Sequence, residues 1–159
     1  TIHDFDMARF IMGEEPVSVF AQGSNLVDPA IGEAGDIDTA FIVLKYASGA
    51  MATIVNSRRS AYGYDQRFEV LGSKGMLQAG NHRPTEVVAS GPDVVSIDKP
   101  EHFFLQRYER AYRNELDHFV AVLAGQEKLR VGIADGVKAL ELADAATTSW
   151  RENRIVRLG

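Results

Sequence analysis

Two short stretches hold the residue types that do chemistry: HDFDMAR near the start of the chain and NSRRSAYGYDQRFEV in its middle. His3 and Asp6 stand three residues apart. On a helix that spacing puts two side chains on one face and within reach of each other. An imidazole titrates at about pH 6.5, so it takes up and returns a proton under working conditions. A neighbouring carboxylate would fix its tautomer and raise its basicity. The same pair is also an ordinary solvated feature of a helix surface, and spacing alone leaves both readings open. In the second stretch Tyr62 and Tyr64 are two residues apart, so an extended backbone would turn both phenols to one side. Phenols beside arginines suit a polyhydroxyl ligand: hydroxyls give directed hydrogen bonds, and ring faces cover C–H surface. The alternative is a loop whose tyrosines pack on the rim of a core.

Other chemistries find little support. His82, His102 and His118 have no metal-ligand spacing with each other or with acids, so no metal site is expected. Tyr112 and Glu115 lie on a helix whose apolar stripe reads as core. There is no G-x-G-x-x-G turn, no phosphate loop and no nucleophile elbow. The 159 residues carry a net charge of −5, which argues against nucleic-acid or anionic-membrane surfaces. With no cysteine, a disulfide framework and a thiolate zinc site are excluded, and a cytoplasmic location fits. No apolar run approaches the roughly 20 residues of a membrane span.

The elements that must position these residues follow from periodicity. Residues 2–12 predict a helix, with Phe5, Ala8, Ile11 and Met12 on one face and His3, Asp6, Met7 and Phe10 on the other. Gly13 suits a left-handed cap and Pro16 stops the helix. VSVFAQG (17–23) reads as a strand and NLVDPAIGEAG as a loop. Three hairpins follow: DIDTAFIVLKY with AMATIVNSR, RFEVLG with GMLQAG, and TEVVAS with DVVSID. Residues 103–124 predict a long helix, with Phe104, Tyr108, Tyr112, Leu116, Phe119 and Leu123 at helical spacing. Asp135 is placed to N-cap another helix reaching about residue 152. RIVRL closes the chain as a short strand. The expected fold class is α+β: one domain over 1–159, an open, mostly antiparallel sheet with helices on one face. The other face, rich in Val, Ile and Phe, must meet water or a second subunit.

In these residues the chain resembles a known family. IHDFDMARFIMGEEP is similar to the helix that follows the cofactor domain in the glucose–fructose oxidoreductase/inositol dehydrogenase family. YGYDQRFEVLGSKGML resembles its substrate-side sheet segment. RYERAYRNELDHFVAVLAGQ and VGIADGVKALELADAATTSW resemble its two closing helices. The resemblance implies an oxidoreductase that moves a hydride between a cyclitol or sugar carbon and the nicotinamide of NAD or NADP. It implies that His3 takes the substrate hydroxyl proton, that Asp6 contacts substrate, and that Tyr62 and Tyr64 line the pocket. It also implies that the family's catalytic aspartate falls before Thr1. The catalytic lysine and the Rossmann domain lie further upstream, so no cofactor is expected on this chain itself and the isolated chain is expected to be inactive. Face-to-face sheet packing into a homodimer or homotetramer is implied as well. Two other readings stay open: the same mechanism on another cyclitol or a pyranose, and a non-catalytic polyol-binding or oligomerisation module.

Overall fold

The structure is a computed structural model that describes residues 1–159. The chain forms two compact units, Thr1–Arg59 with Arg130–Gly159, and Ser60–Leu129.

The first unit is a four-stranded antiparallel sheet with two long helices on one face. In chain order it contains α1 (Ile2–Met12), β1 (Pro16–Ser24), a short α2 (Pro29–Glu33), β2 (Thr39–Tyr46), β3 (Met51–Ser57), α4 (Ile133–Glu152) and β8 (Val156–Arg157). The strands lie in the order β3-β2-β1-β8. Val19 pairs with Leu44, Ala21 with Ile42, and Ile42 in turn with Ile54, so the inward positions of three strands line up. Those side chains are buried together with Phe5 of α1 and Leu142, Ala145 and Ala146 of α4. The alternate positions face outward, and Phe41, Met51 and Val55 are exposed there. The expected open sheet with one covered and one uncovered face is therefore present in this unit.

Local chemistry explains the details. Gly13 closes α1 with φ of +66°, and its N–H donates to the Arg9 carbonyl at 2.9 Å. Strand β8 pairs only with Ser18 and Val19. Further along β1, the Ala21 N–H donates instead to the Ser149 hydroxyl at 2.9 Å, and that hydroxyl donates to the Arg154 carbonyl at 2.6 Å. Asp38 is buried, and its carboxylate accepts the N–H groups of Leu26, Val27 and Asp28 at 2.8–2.9 Å. Burial would push this carboxyl up. The three N–H bonds and the Thr39 hydroxyl outweigh it and hold it at about 2.

Two readings of this unit need correction. The 25–35 stretch is not all loop: Asp28 caps α2 by accepting the Ala30 N–H at 3.0 Å, with Pro29 in the first helical position. Asp135 is not the N-cap of α4. Gly132 holds that place, and the Asp135 carboxylate reaches back from the third position to accept the Gly132 N–H at 2.8 Å.

The second unit contains β4 (Phe68–Gly72), β5 (Gly75–Ala79), β6 (Val88–Ser90), β7 (Val95–Ile97) and α3 (Phe104–Leu123). β4 pairs with β5 and β6 with β7, each as a separate two-stranded ladder. All three predicted hairpins of the chain thus form, each in a sheet of its own. α3 has its predicted extent, yet its stripe is not core in this chain. Tyr112, Leu116, Phe119, Val120 and Leu123 are all exposed, and no residue of 60–129 is buried.

Candidate functional site

α1 carries the first half of the candidate chemistry. Its inward side is held by Phe5 in the core and by Asp4, whose carboxylate accepts the Asn56 side-chain N–H of β3 at 3.0 Å. This fixes the first helical turn against the sheet. His3 sits in that turn, exposed, and its ring makes no hydrogen bond within the chain. A concavity of about 570 Å³ opens beside it, lined among others by His3, Asp6, Phe10, Glu15, Arg130 and Asp135. An unpaired imidazole at such a rim is free to accept a proton from a bound hydroxyl.

Asp6 shares the face with His3, as the spacing predicts, but its hydrogen bond goes elsewhere. Arg9 donates to it at 3.0 Å and binds both oxygens of Glu15 at 2.7–3.0 Å. The same guanidinium donates to the Asp135 backbone carbonyl at 3.2 Å. Its side chain is 11% exposed. The bond to Glu15 pushes the arginine's pKa up and, in return, holds the Glu15 carboxyl below its usual range. Arg9 therefore ties α1 to the start of α4 and orients Asp6. Sequence reading passed over it, because an arginine on a polar helix face looks like any solvated charge.

Tyr62 and Tyr64 lie in the second unit. Residues 60–67 form a turn and irregular chain, not a strand, so the alternation argument does not apply to them. Gly63, between the tyrosines, has φ of +131°, and a Cβ there would stand 2.6 Å from the Pro100 carbonyl oxygen. Only glycine fits that approach. The two rings have different partners. Tyr62 is half exposed and donates its hydroxyl proton to Asp65. Tyr64 donates its backbone N–H to the Glu101 carbonyl at 2.7 Å, and its ring meets Tyr108 edge-on at 5.7 Å. Tyr108 meets Tyr112 in the same manner at 6.3 Å, with the Arg107 guanidinium 5.3 Å above the Tyr108 ring. The spacing of Tyr108 and Tyr112, four apart on a helix, held this signal, but it reads equally as core.

Every strand pairing is antiparallel, so there is no β–α–β crossover with a helix start to hold a pyrophosphate. The first turn of α4 is closed by the Asp135 carboxylate, which would repel a phosphate. No group of three or more His, Cys, Asp or Glu is arranged to hold a metal ion. No helix is long and apolar enough to cross a membrane.

Residues 1–78 match the GFO/IDH/MocA C-terminal domain. Along nearly its whole length the chain is similar to inositol 2-dehydrogenases. It is 48% identical over 158 residues to an inositol 2-dehydrogenase of Rhizobium meliloti, and 51% identical over 158 residues to a myo-inositol 2-dehydrogenase of Thermotoga maritima. Each alignment covers 99% of this chain but only 48% and 47% of the relative, so the chain spans about half the length of the curated relatives it matches. Among solved structures, a probable dehydrogenase from Thermotoga maritima superposes with a TM-score of 0.95 at 51% identity, over 99% of this chain and 48% of that one. A scyllo-inositol dehydrogenase from Lactobacillus casei, solved with NAD(H) and scyllo-inositol bound, gives 0.89 at 27% identity, over 98% and 46%.

Proposed function

We propose that this chain is the substrate-binding half of an NAD-dependent inositol 2-dehydrogenase, and that myo-inositol or a close cyclitol is its substrate. In the whole enzyme a ring hydroxyl becomes a ketone, with NAD as the acceptor of the hydride. The nucleotide is held by polypeptide other than these residues. His3 accepts the hydroxyl proton, Asp6 contacts the polyol from the same helix face, and Tyr62 and Tyr64 line the pocket. The observation that carries this reading is the exposed, unpartnered His3 ring beside a concavity, on a helix fixed to the sheet through Phe5 and Asp4. The likeness to inositol 2-dehydrogenases over nearly the whole chain supports it.

The test is NAD reduction by the intact enzyme with a panel of cyclitols and pyranoses. Turnover on inositols, lost by about 10²–10⁴-fold in His3→Ala, is the expected result. Equal turnover in that variant overturns the role of His3, and activity confined to a pyranose moves the substrate to the second reading. The 159-residue chain alone is expected to show no turnover.

The outward sheet face, with Phe41, Val55 and Met51 exposed, is the proposed contact between copies of the enzyme as a dimer or tetramer. Light scattering that gives a monomer at high micromolar concentration overturns that assignment.

A further inference from the structure

Asp65 sits at the centre of a small, closed hydrogen-bond cluster in the second unit. One of its carboxylate oxygens accepts the Tyr62 hydroxyl proton. The other accepts Arg67 Nε at 2.9 Å and Asn81 Nδ2 at 2.7 Å. Asn81 is itself held at both ends, because its side-chain oxygen accepts the Gln66 N–H at 2.8 Å. The Asp65 side chain is only 18% exposed, although Tyr62 is 47% exposed and Arg67 67%. A largely covered carboxylate thus holds an accessible phenol. Burial would raise this carboxyl's pKa. The bonds from Tyr62, Arg67 and Asn81 outweigh burial and keep it below the usual range, so it stays an acceptor at neutral pH.

A phenol has one proton to give and an oxygen that accepts. Here the proton is committed to Asp65. The oxygen of Tyr62, a half-exposed residue, then has only lone pairs to offer, one of them towards the neighbouring Arg67 guanidinium and the other to a further donor. Gly63, pressed against the Pro100 carbonyl, fixes the backbone between the two residues, and the Asn81 bond to the Gln66 N–H fixes it just after them.

From this arrangement we propose that Asp65 is a positioning residue for Tyr62, and that it turns the Tyr62 phenol into a fixed acceptor that recognises a substrate O–H donor. The inference rests on the reading of Tyr62 as a polyol contact and extends it: a substrate position that presents a methyl ether or a bare C–H in place of a hydroxyl leaves the phenol oxygen unpaired and is rejected. Asp65 touches no reacting atom in this account, and acts through the tyrosine.

The experiment uses the intact enzyme that carries this chain and compares Asp65→Asn, Asp65→Glu, Tyr62→Phe and the Asp65→Asn/Tyr62→Phe double variant. Losing one charge-assisted hydrogen bond corresponds to a rise in KM for the polyol of about tenfold, with kcat changed less than about twofold. The double variant should be no worse than Tyr62→Phe alone, because the two residues act as one unit. Asp65→Glu should recover part of the loss. A second readout needs no turnover: the ring Cζ resonance of Tyr62 in 13C-tyrosine-labelled enzyme, assigned with Tyr62→Phe, should move in Asp65→Asn and return towards its original position in Asp65→Glu. Additive KM effects, or a Tyr62 resonance that stays put in Asp65→Asn, overturn the proposal. Should the unmodified enzyme oxidise no cyclitol or sugar, the functional reading fails, and the Tyr62 resonance alone then decides for or against the Asp65–Tyr62 unit.

Discussion

α3 and α4 are both 20 residues long, and they end up in opposite situations. α3 has aromatic and branched residues at regular helical intervals and buries none of them. α4 shows a weaker pattern, with small residues at many positions, and buries Ala139, Leu142, Ala145, Ala146 and Ser149. The difference teaches what a helical stripe means. Large side chains in register say that a face is built to be covered, and they do not say that this stretch of chain covers it. Small side chains let a helix lie close to a sheet, and the burial then comes from Val19, Ala21, Ile42 and Leu44 of the sheet as much as from the helix. The two units differ in the same sense. The first closes its own core, whereas every side chain of 60–129 keeps some contact with solvent.

The sharpest way to break this contrast is to cut one leucine from each unit. Leu44 is 0% exposed and Leu116 62%. Leu44→Ala should cost about 2–5 kcal/mol, the usual loss for a core leucine with its cavity. Leu116→Ala in the same chain should stay within about 0.5 kcal/mol. The single tryptophan, Trp150, packs against the first unit's core, so its fluorescence in urea reports the relevant unfolding. Comparable losses at both positions would mean that α3 is part of that core after all.

A second contrast concerns two carboxylates. Asp38 binds backbone N–H groups inside the first unit, while Asp65 binds side chains within the second. Asp38→Asn should lower the melting temperature at neutral pH by something of the order of 5 °C, since a neutral amide cannot serve all of those donors as well. The sign with pH follows from its depressed pKa of about 2 in the folded state. The unfolded carboxyl titrates at about 3.9, so the stabilisation is fully present above about pH 4 and disappears as pH falls through about 2. The gap in melting temperature between the original chain and Asp38→Asn should therefore narrow on acidification from pH 5 to pH 2. A gap that widens would assign the depressed value wrongly.

Arg9 comes next in size. Arg9→Met removes the bonds to Asp6, Glu15 and the Asp135 carbonyl while keeping most of the apolar stem. An exposed ion pair contributes about 0.2–1 kcal/mol, and this arginine gathers several partners, so about 1 kcal/mol is expected. The loss should shrink in high salt, where surface charges are screened. A salt-independent loss would point to packing of the stem, with the charges adding little.

How much of this was legible depended on whether a feature is set by neighbours in sequence or by distant partners. α1, its glycine cap, the three hairpins and the last strand are local, and the periodicity of the residues placed them. The start of α4 was misread by three residues, because Asp135 can serve a helix start from the cap or from the third position, and both leave the same letter in the sequence. His3 and Asp6 were placed on one face correctly, but the choice of Arg9 over His3 as Asp6's partner depends on where Glu15 and Asp135 converge. The Tyr62–Gly63–Tyr64 turn escaped the strand argument because Gly63 needs a carbonyl from Pro100, far along the chain, to explain its backbone angle. The buried role of Asp38 was likewise invisible, since its partners lie ten or more residues upstream.

The smallest predicted effect tests whether the first unit's core is as well matched as its burial suggests. Tyr46 is 1% exposed, and its hydroxyl has no hydrogen-bond partner. Burial, with Glu14 and Glu15 nearby, pushes this phenol up to about 12, so it stays neutral at any working pH. A buried hydroxyl without a partner has given up its hydrogen bonds to water and gained none in exchange. Tyr46→Phe removes the group while keeping the ring that fills the space beside Phe5 and Leu44. The variant should be as stable as the original chain or slightly more so, by up to about 1 kcal/mol, in the same Trp150 titration. A clear loss would reveal that the hydroxyl is bonded in solution, most simply through a water, and that this edge of the core is wetter than its packing indicates.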